Sequence, residues 1–261
     1  MVTINTVNNT DNDKNVNNTS SANNTSNTNI KGNTRNKKKK SGSIDIRKMV
    51  SLAVFTAVAY VCVYVFHIKV SFLTFDIKDA VITVAAMIFG PMSAVAISLA
   101  VSFIEMVTIS DTQLYGFVMN VLSTVSFSVT ASFIYKYKRS MLGAVMGLIT
   151  GILTMTAVMM AANLLITPFY MGVTTKEVAA LIPKMLLPFN FTKAVLNASL
   201  VLLIYKPIIT ALRRAGAIKA GHADYGLDKK TVLVIVAAVC LAAASIVVFI
   251  MVLGGKFEWL R

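Results

Sequence analysis

The sequence predicts an all-α integral membrane protein, and three observations carry that prediction. Charged residues make up 14% of the chain and hydrophobic ones 56%, whereas a soluble domain carries about 25% charge. The apolar residues fall in runs close to the roughly 20 residues that cross a hydrocarbon core as a helix. The basic residues fall in short clusters between those runs, as they do in cytoplasmic loops. That placement also argues against reading the formal net charge of +14 as a nucleic-acid signal.

The first 36 residues are rich in Asn, Thr and Ser and almost free of large apolar side chains. Such a segment cannot bury enough surface to offset its ordering entropy, so a disordered tail is expected. No signal peptide is expected, since no apolar segment lies near the N-terminus. Residues 1–49 carry nine Lys/Arg against three Asp/Glu, a surplus of six positive charges. This surplus, with Lys37–Lys40 at its centre, should hold the tail in the cytoplasm.

Spans are expected at 49–67, 116–135, 141–166, 186–206 and 231–253, with a further apolar run over 80–108. As one helix that run would measure about 43 Å at 1.5 Å per residue, too long for a core of about 30 Å. Gly90-Pro91 offers a break. If the run splits there, Lys136–Arg139, Lys206, Arg213, Arg214, Lys219, Lys229 and Lys230 all fall on the cytoplasmic side. If it does not, nearly all of them fall outside, so charge placement favours two helices. The result is seven helices, with the N-terminus inside, the C-terminus outside, and outer loops at 67–79, 109–115 and 167–185.

Small residues mark packing faces. Gly143, Gly147 and Gly151 recur at four-residue intervals, which lets helix backbones approach closely. Ala53 and Ala57 form a second small-residue pair, open to two readings: internal packing, or a docking face for another membrane subunit.

Motifs for catalysis or nucleotide hydrolysis are missing. The chain contains no phosphate-binding G-x-x-x-x-G-K-[ST], no H-E-x-x-H and no G-x-S-x-G. Cys62 and Cys240 sit alone in apolar runs, where a cysteine behaves as a small hydrophobe. His67 and His222 stand far apart in sequence. No metal site, cofactor or enzyme activity is therefore expected.

Binding groups are present. Polar side chains within spans usually face a cavity or a partner, and Asn120, Asn163, Asn190, Lys193, Asn197 and Glu105 lie in or at the ends of spans. Asn190, Lys193 and Asn197 share one helical face by their spacing of three and four. Any one of the asparagines alone reads as an interhelical hydrogen bond, but a lysine within a span needs a partner or water. Phe72, Phe75, Tyr115, Phe169, Tyr170 and Phe189 cluster in the outer loops. Aromatic belts do the same at membrane interfaces. Amides with aromatic rings suit a flat, neutral, hydrogen-bonding ligand, and few cations suggest a phosphate clamp.

Three segments carry a family resemblance: LTFDIKDAVITVAAMIFGP, ANLLITPFYMG and LLPFNFTKAVLNASLVLLIYK. Over Ser51 to Arg214 the chain resembles the riboflavin-specific substrate-binding subunits of energy-coupling factor transporters. The resemblance implies a six-helix substrate-binding bundle that captures its vitamin, riboflavin, at the outer face of the plasma membrane. It also implies two kinds of partner, a transmembrane coupling subunit and two cytosolic ATPase subunits, which would account for the missing phosphate loop. It assigns ligand contacts to Asn163, Asn190 and Lys193, a shaping role to Asp76 and Asp79, and coupling-subunit docking to Ala53 and Ala57. Asn197, Asn120, Tyr170 and Phe189 complete the expected pocket.

Two features depart from the family pattern. A Lys-Asn pair expected about ten residues after the FGP triplet is replaced by Val101 and Ser102, with Glu105 a turn later. The helix at 231–253 is additional. The expected organisation is thus a tail over 1–46, the membrane domain over 47–215, a cytoplasmic linker over 216–230, the extra C-terminal transmembrane helix over 231–253 and an outer tail over 254–261. Rival readings are a sister subunit for thiamine, pantothenate or a folate, or a solitary membrane facilitator or scaffold.

Overall fold

The computed structural model describes residues 46–66, 68–70, 73–216, 229–253 and 258–259. The expected disordered tail up to residue 45, Phe72, most of the 216–230 linker and most of the 254–261 outer tail lie outside the described residues.

Eight α-helices make up most of the described chain: α1 (Ile46–Val65), α2 (Lys78–Phe89), α3 (Pro91–Thr108), α4 (Gln113–Tyr137), α5 (Met141–Met171), α6 (Thr175–Leu181), α7 (Leu187–Arg214) and α8 (Lys229–Leu253). By length and composition, α1, α3, α4, α5 and the continuous run through α6 and α7 can cross a membrane, while α8 contributes a shorter apolar stretch, Val232–Val248.

The 80–108 run does split at Gly90-Pro91. Gly90 takes φ 103°, a left-handed value that favours glycine. Pro91 opens α3 at a position where its missing N–H costs nothing. α2 has only 12 residues, about 18 Å of helix. Its residues from Lys78 to Met87 are all buried, so this helix is enclosed by protein on every side. α1, α3, α4 and α7 pack around it. The main core gathers Phe55 and Ala59 of α1, Ala80 to Met87 of α2, Ile97 and Val101 of α3, Phe127 of α4 and Met155 of α5.

Two loop expectations change. The 67–79 loop is a hairpin of β1 (Ile68–Val70) and β2 (Leu73–Phe75), followed directly by the start of α2. A third strand, β3 (Glu258–Trp259), pairs antiparallel with β1, so the all-helical chain carries one small sheet in the order β2-β1-β3. The 167–185 loop is mostly helical. α5 continues through Pro168 to Met171 and stops at Gly172, which takes φ 67° and donates its N–H to the Pro168 carbonyl. Thr174 and Glu177 then form a reciprocal cap that starts α6. A π-helical turn over Ile182–Leu186 joins α6 to α7.

The glycine stripe on α5 packs against α4. A Cβ on Gly147 would stand 2.5 Å from the Ala131 carbonyl oxygen, and one on Gly151 3.0 Å from that of Phe127. Gly143 instead lies against Lys138, at the turn between the two helices. The Ala53/Ala57 stripe turns the other way. Both alanines are exposed, while Ser51, Phe55, Ala59 and Val63 of the same helix are buried. α8 lies along α7, with Ala238 and Ser245 buried.

Candidate functional site

The polar stripe on α7 begins immediately after the π-helical turn. π-turns recur at functional sites because they re-aim the side chains that follow. Asn190 donates to the Leu186 carbonyl inside that turn at 2.8 Å. One turn later the Lys193 ammonium reaches the β2–α2 junction. Its Nζ donates to Asp76 Oδ2 at 2.8 Å and to the Thr74 carbonyl at 3.3 Å. Burial alone would raise the Asp76 carboxyl, but the charges of Lys193 and then Lys78 outweigh it and hold that carboxyl below its usual range.

Asn197, another turn along, clamps the same junction. Its Oδ1 accepts from the Ala80 N–H at 2.9 Å. Its Nδ2 donates to the Asp76 and Lys193 carbonyls, both at 3.1 Å.

A second ionic group faces this one from α2, α3 and α4. Lys78 Nζ donates to both oxygens of Glu105, at 2.7 and 2.6 Å, and stands 3.8 Å from Asp76 Oδ2. Asn120 Nδ2 donates to Glu105 Oε2 at 2.7 Å. Behind this group, Asp79 Oδ1 accepts from the Thr124 hydroxyl at 2.6 Å. Lys78, Lys193, Asp76 and Glu105 are each paired and hydrogen-bonded, which lets their charges be buried, whereas Asp79 Oδ2 is buried without a hydrogen-bond partner among the described residues.

Both groups border a cavity of about 210 Å³. Asn190, Lys193 and Phe189 line it from α7, Leu73 and Thr74 from β2, Asp76 from the β2–α2 junction, and Lys78, Glu105 and Asn120 from α2, α3 and α4. The loop from Ile109 to Thr112 borders it together with Tyr115 and Tyr170, whose rings lie 5.8 Å apart with an interplanar angle of 36°. Val63, Met119 and Met159 add apolar surface. Phe189 is held by an edge-to-face contact with Phe75 at 6.0 Å. The walls therefore offer amides, ions and flat apolar faces together.

Of the residues expected from sequence, Asn190, Lys193, Asp76, Tyr170, Phe189 and Asn120 meet in this cavity. Asn163 and Asn197 do not line it. Asn163 is fully buried, donates to the Met159 carbonyl of its own helix at 2.7 Å and accepts from the Thr167 hydroxyl at 3.0 Å. Sequence reasoning left Lys78 out of the site and treated Glu105 only as a polar residue in a span. The available signal was a lysine and a glutamate at the two ends of one apolar run.

A multi-pass helical bundle with a polar and aromatic cavity at one end is a membrane protein built to hold a small molecule. The family model for "ECF transporter, substrate-specific component" matches residues 47–205, and the chain belongs to that family. This is a family of transporter subunits, not of enzymes. The chain is 26% identical over 177 residues to "Riboflavin transporter RibU" of Staphylococcus aureus (strain TCH60), covering 64% of this chain and 93% of that protein. Its fold matches a solved structure described as "Structure and mechanism of the S component of a bacterial ECF transporter". That match has a TM-score of 0.56 and 26% identity, and covers 65% of this chain and 99% of that one. α8 and β3 fall outside the family match.

Proposed function

We propose that this substrate-specific component captures riboflavin in the cavity between α7 and the α2–α4 side, and passes it inward with a separate coupling module. The observation that carries the reading is that Asn190 and Lys193 line one cavity together with aromatic and thioether side chains. An isoalloxazine ring has a flat apolar body and one edge of alternating donors and acceptors. An amide reads such an edge with both its groups, and an ammonium donates to ring carbonyls or ribityl hydroxyls. The likeness to a riboflavin transporter supports the same ligand. In this reading Asp76 and Asn197 set the position of Lys193. Asn163 stands behind the wall and stiffens α5.

The coupling module would consist of a transmembrane subunit and two ATPases, and would meet the protein at Ala53 and Ala57. Exposure of both alanines supports that role, because it removes internal packing as their reason. The N-terminus lies in the cytoplasm and the C-terminus outside, as the charge pattern indicates. The pairing of β3 with β1, whose hairpin borders the cavity, is consistent with this.

Purified protein tests the ligand directly. A flavin absorption spectrum in the purified sample, or saturable quenching of added riboflavin fluorescence that Asn190→Ala abolishes, is the expected result. A folded protein that neither carries nor quenches riboflavin overturns the assignment and turns attention to other vitamins.

A further inference from the structure

The pairing of Lys78 with Glu105 goes beyond what riboflavin capture requires. Both side chains line the cavity, and both are almost fully buried. Lys78 directs two short bonds to Glu105 and has Asp76 as its next neighbour at 3.8 Å. Lys193, the other cation in the cavity wall, is bonded to Asp76 and to the Thr74 carbonyl. Among the described residues, every ammonium that lines the cavity is thus already matched by a carboxylate. Glu105 itself sets its carboxyl group on that wall, held in place by Asn120.

A phosphorylated ligand would meet the opposite of what it needs. Phosphate recognition relies on cations or N–H groups free to donate to its oxygens. Here an incoming phosphate dianion would displace an existing carboxylate from its lysine or sit beside it uncompensated, and like charges in a poorly solvated pocket repel strongly. A neutral ligand meets no such conflict.

We infer that Glu105 is a specificity-determining residue: by occupying Lys78 it keeps the cavity closed to phosphate esters and reserves it for the neutral, unphosphorylated vitamin. This rests on the riboflavin reading above and adds the discrimination to it. Glu105→Gln preserves size and an acceptor oxygen while releasing the charge of Lys78.

The test compares riboflavin with riboflavin 5′-phosphate by fluorescence quenching on the purified full chain. The wild type should bind riboflavin more tightly than its phosphate ester. Glu105→Gln should narrow the affinity ratio by about tenfold or more, given the size of a single close charge interaction. Adding Lys78→Met to Glu105→Gln should remove the gain. A merely structural role for Glu105 would weaken both ligands together and leave the ratio alone.

An unchanged ratio in folded Glu105→Gln, or a wild type that binds the two ligands equally, overturns the inference and leaves riboflavin capture standing. If Glu105→Gln does not fold, Glu105→Ala is read by the same ratio. A folded wild type that binds no riboflavin overturns both readings.

Discussion

Lys193 and Asp76 stand 117 residues apart in sequence and meet at 2.8 Å, so one ion pair ties the cavity-facing turn of α7 to the hairpin that borders the same cavity. Asp76 is 1% exposed. Breaking this pair leaves Asp76 with Lys78, 3.8 Å away, as its remaining cation. Lys193→Ala should therefore cost about 1.5–3 kcal/mol of stability and abolish riboflavin binding. Asn190→Ala removes one bond within its own turn and should cost only about 1 kcal/mol, yet it should also lose the ligand. Chemical or thermal unfolding read beside fluorescence quenching separates the two effects. Equal stability losses would overturn this division of roles.

The same pair sets an acid limit. The carboxyl of Asp76 sits below its ordinary value of 3.8 in the folded protein. Its stabilising contribution is therefore complete above that value and fades as pH falls through the lowered folded one. The melting-temperature gap between the wild type and Asp76→Asn should stay constant from about pH 7 to pH 5 and close only in stronger acid. A gap that already shrinks at pH 5 would contradict the assignment.

Asn197 should behave as a structural clamp. Asn197→Ala leaves the buried Ala80 N–H with only its longer bond to the Ile77 carbonyl, at 3.3 Å, and frees the Asp76 carbonyl. The expected cost is about 1–3 kcal/mol. Riboflavin affinity should fall less than in Asn190→Ala, because the cavity wall keeps its own amide. A titration in which Asn197→Ala binds worse than Asn190→Ala would place Asn197 at the ligand instead.

Gly147 tests the α4–α5 contact. A methyl group there would press on the Ala131 carbonyl at 2.5 Å, and backbone cannot step aside cheaply. Gly147→Ala should lose about 1–3 kcal/mol, while Met146→Ala on the exposed face should change little. Equal melting temperatures for the two variants would show that the close approach is relaxed in the membrane.

The double variant Ala53→Leu/Ala57→Leu addresses the coupling partner. Both sites are exposed, so folding and riboflavin quenching should survive. Uptake by cells that carry the coupling module should be lost. Normal uptake would remove this stripe from the docking face.

Much of the fold was legible because its signals are local. Each long apolar run became a helix, since a lipid-facing segment must satisfy its backbone within itself. The break at Gly90-Pro91 followed from the charge pattern, and a positive φ confirms it. The hairpin at 68–75 was not legible. Its short strands hold their register through β1, which pairs with β2 on one side and with the distant β3 on the other, which leaves no periodic signature in so few residues. The helical stretch around Pro168 misled for a related reason. Proline reads as a loop, but near a helix end, with Gly172 supplying the stop, it is tolerated.

The site divides along the same line. Residue type and spacing alone marked Asn190, Lys193 and Asn120 as polar side chains too costly to leave in lipid. Whether each faces ligand space or a neighbouring backbone depended on the tertiary structure. Asn163, Asn190 and Asn197 are chemically identical and all buried, yet only Asn190 borders the cavity. The partners of the two lysines lie 117 and 27 residues away, beyond any helical repeat. The sequence by itself determined a membrane bundle, the apolar helices that build it and its stock of polar groups, because partition into lipid is a property of each segment; against the seven expected spans, five helices among the described residues are long and apolar enough to cross. The packing of α2 between α1, α3, α4 and α7 decided which charges neutralise which, because a buried ion is stable only beside the partner that the fold brings to it.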